Sequence, residues 1–452
     1  MWHKLKLKLD NITPAQAIIS FYFIAVTVSV LLLRIPAVHQ EGIEVSLLDT
    51  IFTAISSVSV TGLTVLNISE TYSTFGIFVL MFVFQFGGIG VMSLGTFVWL
   101  LIGKKIGLRG RKLIMVDHNQ SNLAGLVALI REILKIILLI EFFGTLILGF
   151  HFLQYYPTTG EAFLHGVFAS ISATTNAGLD ITGASLEPYA NDYFVQFITI
   201  ILLTLGAIGF PVLIELKNYL FHKEAFSLPF RFSLFTKLTT ITFVALLFFG
   251  TLFIILLEFQ HYFKGMVWHK AFFYAFFQSA TTRSGGLATM DVSEFTDPTL
   301  LFISLLMFIG ASPSSVGGGI RTTTLALNML FLFHFARGKR NIKIFRREIH
   351  EDDITKALAV TLLAIFLCFT SIIILSITEQ HSIIEIIFEV CSAFGTTGLS
   401  MGITPDLSTF GKWTIMILMF IGRIGVVSFL LLIRGKEQDV NYHYPKERII
   451  IG

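Results

Sequence analysis

Four short glycine-centred segments hold the residues best placed to do chemistry in this chain. They are Val60, Thr61 and Gly62 in "VSVTGL", Asn176, Ala177 and Gly178 in "TTNAGL", Ser284, Gly285 and Gly286 in "TTRSGGL", and Thr396, Thr397 and Gly398 in "GTTGL". What they offer is main-chain carbonyl oxygen. Glycine reaches backbone conformations closed to other residues and lets a ligand approach closely. Rings of carbonyls can replace the hydration shell of a cation. The central glycines lie 116, 108 and 112 residues apart. Four such loops can meet on a pseudo-fourfold axis.

Two further registers accompany them. Ten residues before each glycine stands a phenylalanine: Phe52, Phe168, Phe276 and Phe388. Six residues before it come Ser56, Ser172, Ala280 and Ser392. A second glycine motif follows each loop: "GGIG" at Gly87–Gly90, "GAIG" at Gly206–Gly209, "GASP" at Gly310–Pro313 and "GRIG" at Gly422–Gly425. Unit three offers Gly285 as well as Gly286, and the Phe276 register favours Gly286. Internal repeats of this kind frame the whole fold and, in membrane proteins, often the site. The units divide the chain at 1–120, 121–225, 226–350 and 351–452.

The elements that must position these loops are helices in lipid. AVILMFWYC make up 54% of the 452 residues and DEKR only 13%, about half the charge of a soluble domain; mean hydropathy is +0.79. Uncharged runs long enough to cross a bilayer occur at Ala15–Leu33, Thr71–Gly103, Tyr193–Ile214, Leu238–Leu257 and Ala357–Thr378. Each unit reads as a long helix (M1), a short segment of about a dozen residues ending at the glycine, suited to a re-entrant helix, and a second long helix (M2). Helix-initiating residues mark the short segments at Ser46, Thr158 or Thr159, and Ser382; the third has no comparable cap. The expected architecture is an all-α polytopic membrane protein of eight spans and four re-entrant pore helices. Twelve full spans would leave the glycine registers unexplained.

Charge orients the chain. The N-terminus, the three inter-unit segments and the C-terminus carry 24 of the 32 Lys and Arg residues. The positive-inside rule places both termini and the inter-unit loops in the cytoplasm. The glycine segments then open outward. "MWHKLKLKLDNITP" has no early apolar core with a cleavage site, so the first span reads as a permanent anchor. Cys368 and Cys391 read as free buried thiols. A net charge of +3 gives no sign of a nucleic-acid partner. No His, Asp, Glu or Cys cluster argues for a membrane enzyme, and "VGGGIRT" is not a dinucleotide-binding fingerprint.

Over its full length the chain resembles the membrane subunit of bacterial Ktr potassium-uptake systems, in the Trk/Ktr/HKT superfamily. The resemblance rests on the four loop motifs, "GASPSSVGGGIRT" and "GRIG". It implies four M1–pore helix–M2 repeats around a pseudo-fourfold pore in one polypeptide. It further implies one selectivity glycine per unit, hence K+ at the carbonyls of Gly62, Gly178, Gly286 and Gly398. In this superfamily a serine at the first filter position goes with sodium; glycine at position 62 favours potassium. The resemblance implies no covalent cofactor and leaves a dependence on Na+, or a Na+-permeable or K+/Na+-coupled transporter, open. It also implies a homodimer seated on a separate cytosolic ring of RCK-type nucleotide-binding subunits. The basic segment at 336–348 could dock that ring or anionic lipid headgroups.

Two intramembrane features stand outside the repeat. Pro298 to Ala336 carries one charge, Arg321, over 39 residues, about twice one crossing. Inside it Gly310, Ala311, Ser312, Pro313, Ser314, Ser315, Val316, Gly317, Gly318 and Gly319 must interrupt a helix. The residues allow a packing kink or a pore-facing loop; the resemblance implies a gate loop beneath the filter. Arg423, between two ten-residue uncharged runs, is costly in lipid and expected to face a cavity or partner. By resemblance it is the pore arginine of unit four, expected to hydrogen-bond gate-loop carbonyls. Arg283 reads either as a charge repelling cations beside the third loop or as a partner of Asp291. Asn176 either bonds the filter backbone or favours the turn. Glu141, in the second M1, faces protein or caps a span end.

Overall fold

The computed structural model describes residues 14–90, 126–221, 230–339, 341–433, 445 and 447. The segments 1–13, 91–125, 222–229 and 434–444 lie outside them. With them go Lys4, Lys6 and Lys8, the end of the Thr71–Gly103 run, the unit boundaries at 120 and 225, and most of the C-terminal basic segment.

A long helix, a short helix and a helix ending at a glycine recur four times. The first set is α1 (Pro14–Leu33), α2 (Leu47–Ser59) and α3 (Thr74–Ile89). The second is α4 (Leu126–Phe152), α5 (Thr159–Thr174), α6 (Tyr193–Ala207) and α7 (Phe210–Phe221). The third is α8 (Leu234–Glu258), α9 (Trp268–Thr281), α10 (Asp297–Phe308) and α11 (Thr322–Ala336). The fourth is α12 (Glu351–Thr378), α13 (Ile383–Gly395), α14 (Thr409–Ile424) and α15 (Val426–Ile433). α12 starts after His350, which makes no side-chain cap bond.

The short helices begin where their caps dictate. The hydroxyls of Ser46, Thr158 and Ser382 accept the amides of Asp49, Glu161 and Glu385, and Ser382 and Glu385 complete a capping box. The third starts at Val267 without a side-chain cap.

Among the described residues, four helices can each cross a bilayer by length and composition: Gln16–Leu33, Val127–Phe152, Leu234–Glu258 and Glu351–Thr378. They are the M1 helices. The M2 helices depart from expectation, which placed a break in unit three alone. α6 and α7, expected as one run over Tyr193–Ile214, bend by 105°. α14 and α15 are separate helices. The cause is the last glycine of each second motif. Gly90, Gly209 and Gly425 have φ of 95°, 103° and 89°, where an α-helix cannot continue. In unit three a non-helical stretch from Ile309 to Arg321 separates α10 from α11.

The apolar core runs between neighbouring units in a ring. Phe168 of unit two packs edge-on against Phe84 of unit one at 5.5 Å, within one buried cluster. Phe277 joins unit two, Phe388 joins unit three, and Phe52 closes the ring by packing with Phe394, Met416 and Met419 of unit four. In unit three the buried member is Phe277, not Phe276, which is half-buried. The helix side of that register is therefore displaced by one residue. Ser279 confirms the shift: its hydroxyl donates to Leu247 O as that of Ser170 donates to Glu141 O.

Candidate ion pathway

At the carbonyl end of each short helix the chain turns left-handed twice, at the glycine and two residues before it. Val60 and Gly62 have φ of 50° and 94°, Asn176 and Gly178 of 52° and 67°, Ser284 and Gly286 of 79° and 73°, and Thr396 and Gly398 of 48° and 93°. In unit three Gly286 takes the positive φ and Gly285 does not. Three of the turns are Schellman motifs. Val60 N, Asn176 N and Thr396 N donate to Ser57, Ala173 and Ala393 O, while Thr61 N, Ala177 N and Thr397 N donate to Ser56, Ser172 and Ser392 O. In the third, Gly285 N donates to Thr281 O instead, because one residue fewer lies between the buried Phe277 and Gly286 than between Phe168 and Gly178. Valine and threonine in this region are strained, so the surroundings enforce the turn.

The serine register supplies part of that enforcement. Gly62 N and Gly398 N donate to the hydroxyls of Ser56 and Ser392 at 3.2 and 3.1 Å. In unit two the Ser172 hydroxyl instead donates to Leu179 O at 2.6 Å. In unit three the expected position, Ala280, has no hydroxyl. Thr281 does this work, donating to Leu287 O at 2.6 Å.

The four glycines form a closed ring. A Cβ on Gly62 would lie 2.7 Å from Ala177 O and 2.9 Å from Gly178 Cα. One on Gly178 would lie 2.9 Å from Gly286 Cα, and one on Gly286 2.5 Å from Thr397 O. One on Gly398 would meet Thr61 O and lie 3.0 Å from Gly62 Cα. Any side chain in the ring strikes the next loop. All four glycines line one mouth of about 350 Å³, whose wall also carries the carboxylates of Asp180, Glu187 and Asp291. Burial, and then the neighbouring Asp291, Glu294 and Asp180, push the Glu187 carboxyl above its ordinary value. These acids had no signal in the glycine motifs.

Beneath the ring lies the interrupted third M2. Its loop is pinned to the bend of unit two: Ser312 N donates to Ala207 O, Val316 N to Gly206 O, and Phe210 N to Ser314 O at 3.0, 3.2 and 2.9 Å. Arg321 closes it from below through Nη1, to Gly317 O and, at 3.4 Å, to Ser312 O. Thr322 adds a 2.9 Å hydroxyl bond to Ser312. The first glycines of the other second motifs have a different reason. A Cβ on Gly87, Gly206 or Gly422 would run into the carbonyl of Val58, Thr174 or Phe394 in the last turn of its own short helix.

One expectation needs correction, and two open alternatives are narrowed. Arg423 does not bond the unit-three loop: its Nη2 donates to Gly87 O and, at 3.1 Å, to Gly88 O. Those carbonyls lie at the C-terminal end of α3, where unpaired oxygens and the helix dipole favour a cation. Arg321, singled out only as the lone charge of its run, makes the bonds expected of Arg423. Both line a cavity of about 80 Å³ below the loop. Arg283 is 2% exposed and pairs with no carboxylate among the described residues; it donates to Leu306 O and, at 3.3 Å, to the Thr282 hydroxyl. Asn176 makes no side-chain hydrogen bond among the described residues, which leaves the turn as its role. Glu141 is buried and accepts from Gln85 Nε2 at 2.8 and 2.9 Å, a partner no spacing predicts. Cys368 and Cys391 are free and buried.

The profile of TrkH, described as a cation transport protein, matches residues 4–444. The chain belongs to the TrkH family. The Ktr system potassium uptake protein D of Bacillus subtilis is 61% identical over 98% of both chains. The Ktr system potassium uptake protein B of the same organism is 34% identical over 99% of this chain and 98% of its own. The potassium/sodium uptake protein NtpJ of Enterococcus hirae is 32% identical, again over 98% of each. The crystal structure of the potassium transporter TrkH from Vibrio parahaemolyticus superposes with a TM-score of 0.71 at 18% identity, covering 92% of this chain and 83% of that one; it supports the fold. This TrkH-family chain is thus a helical membrane transporter, and transport is not an enzyme class.

Proposed function

We propose that this chain carries K+ across the plasma membrane, as the membrane component of a Ktr-type uptake complex. The ring of Gly62, Gly178, Gly286 and Gly398 carries this reading. Four short helices aim their carbonyl ends at it, and no side chain fits within it. The carbonyls of Val60, Thr61 and Gly62, with their counterparts in the other loops, are the coordinating groups. Residues 310–319 are the gate, closed by Arg321 and flanked by Arg423. The names of the Bacillus relatives support K+ as the ion. Sodium dependence, or Na+ permeation, rests on the name of the Enterococcus relative alone.

The positive-inside rule puts the acidic mouth outside and the termini in the cytoplasm. A homodimer on a separate RCK-type ring remains the assembly implied by family. Charge reversal at Arg346 and Arg347 should release that ring in co-purification if 336–348 docks it, and leave it bound if the segment serves lipid headgroups.

The test of function is Rb+ uptake by a potassium-uptake-deficient host, followed by K+ and Na+ flux in proteoliposomes. Gly62→Ser should lower K+ affinity or discrimination more than expression, because its Cβ meets Ala177 O. Unchanged kinetics in that variant would remove the filter assignment.

A further inference from the structure

One hydrogen bond joins two of the four loops through a side chain. The Ser284 hydroxyl donates to the main-chain carbonyl of Thr396 at 2.6 Å and lies 3.1 Å from the Thr396 hydroxyl. Both residues are fully buried. They occupy the same left-handed position, two residues before the ring glycine, in adjacent loops. At the equivalent positions Val60 has no polar side-chain atom, and the Asn176 amide is unpaired among the described residues.

Directly beneath this bond sit two glycines of the interrupted M2. A Cβ on Gly317 would lie 2.6 Å from both Cβ and Oγ of Ser284. A Cβ on Gly318 would lie 2.6 Å from Oγ1 and 2.7 Å from Cγ2 of Thr396. Neither glycine has a positive φ. Close approach, and no special backbone conformation, therefore requires glycine at these two places. One loop glycine abuts the donor of the bond and the next abuts the residue that accepts it.

A carbonyl oxygen has two lone pairs. One that holds a hydroxyl has less to give a cation. While the loop is seated, the Ser284 hydroxyl has little room to turn, and Thr396 O stays engaged. When the loop withdraws, the hydroxyl is free to rotate and Thr396 O to face the pore.

We propose that Ser284 is a positioning residue that couples the gate loop to ion coordination on the inner side of the filter. The proposal rests on the filter and gate reading above and adds a consequence to it. Coupling between two sites is reciprocal, so ion occupancy of the inner filter must also bias the loop.

The experiment compares Rb+ affinity and K+/Na+ discrimination in proteoliposomes for the native chain, Ser284→Ala, Ser284→Cys and Gly317→Ala. Each is made with and without deletion of residues 312–317 where the deletion permits. Ser284→Ala should shift affinity or discrimination about two- to tenfold, the range one neutral hydrogen bond supports. Ser284→Cys, a weaker donor, should fall between. In the loop-deleted background Ser284→Ala should add nothing, because the seated loop is what gives the hydroxyl its effect. A full shift in that background, or none in either, overturns the proposal. Should Ser284→Ala fail to fold, Gly317→Ala presses on the same hydroxyl from below and must move the same ratio; an unmoved ratio overturns the proposal equally. Absence of K+ flux from the native chain would instead defeat the functional reading itself, a result visible before any variant is made.

Discussion

The glycine ring and the loop beneath it are both breaks in helical backbone, yet the loop alone is pinned through its main-chain amides to a neighbouring unit. Each ring segment is fixed mainly from within its own unit. Schellman bonds and a helix hydroxyl reach back three to six residues, as from Val60 N to Ser57 O, from Thr61 N to Ser56 O and from Gly62 N to the Ser56 hydroxyl. The lower loop is held both from within and from outside. Its amides reach Ala207 O and Gly206 O of unit two, while Ile320 N to Phe308 O, Ala311 N to Gly318 O, Arg321 and Thr322 tie it within unit three. Local bonds survive when neighbouring units shift; bonds between units do not. Under the proposed function, this difference lets the ring hold its geometry while the loop's bonds to unit two are broken and remade.

Deleting residues 312–317 should break this comparison most sharply. Flux should rise about tenfold or more with discrimination still present, as expected when a barrier is lost and the coordinating ring kept. Loss of discrimination as complete as that of Gly286→Ala, whose Cβ strikes Thr397 O, would show the two regions to be one structure. Next in size is Arg321→Gln. Bonds from a charged donor contribute about 1.5–3 kcal/mol, so freeing Ser312 O and Gly317 O should raise basal flux about tenfold or more. Arg423→Gln removes a cap on α3, not a tie on the loop. It should lower thermal stability and raise flux less than Arg321→Gln. The reverse order would restore Arg423 as the holder of the loop.

The ring was legible because its demands are written locally. Spacing named the four glycines, and the serine register marked the hydroxyls that fix three of them. The caps at Ser46, Thr158 and Ser382 were equally plain, because an N-cap is a contact over three residues. Unit three misled by one position, since Phe276 and Phe277 are adjacent and only packing tells which is buried. Partners across units were not legible. Nothing in the sequence near Arg423 names Gly87 and Gly88, more than three hundred residues away, nor ties Gln85 to Glu141. The extra M2 breaks were written in Gly209 and Gly425. In an apolar run, though, a glycine needed for close approach looks like one needed for positive φ.

Within the ring, Ser56→Ala should cost discrimination about two- to tenfold. It leaves Gly62 N without its hydroxyl acceptor while the Schellman bond to Ser56 O remains. Competition of Rb+ uptake by Na+ measures this. An unchanged ratio would assign the turn to the backbone alone.

The smallest effect is expected at the mouth. Glu187 is exposed, so its charge acts through solvent and is screened by salt. Partial desolvation by the mouth wall, and then Asp291, Glu294 and Asp180, raise its carboxyl above the ordinary 4.5. It is therefore fully charged only well above that value and gains its proton as the pH falls toward it. Acidifying the outer medium should remove negative charge from the mouth and lower the local cation concentration. Rb+ uptake at limiting concentration should decline over that window, and the decline should start at a lower pH in Glu187→Gln. High ionic strength should flatten both curves toward each other. A decline that persists unchanged in concentrated salt would come from a group inside the pathway, where screening does not reach, and the mouth would then have no part in gathering the ion.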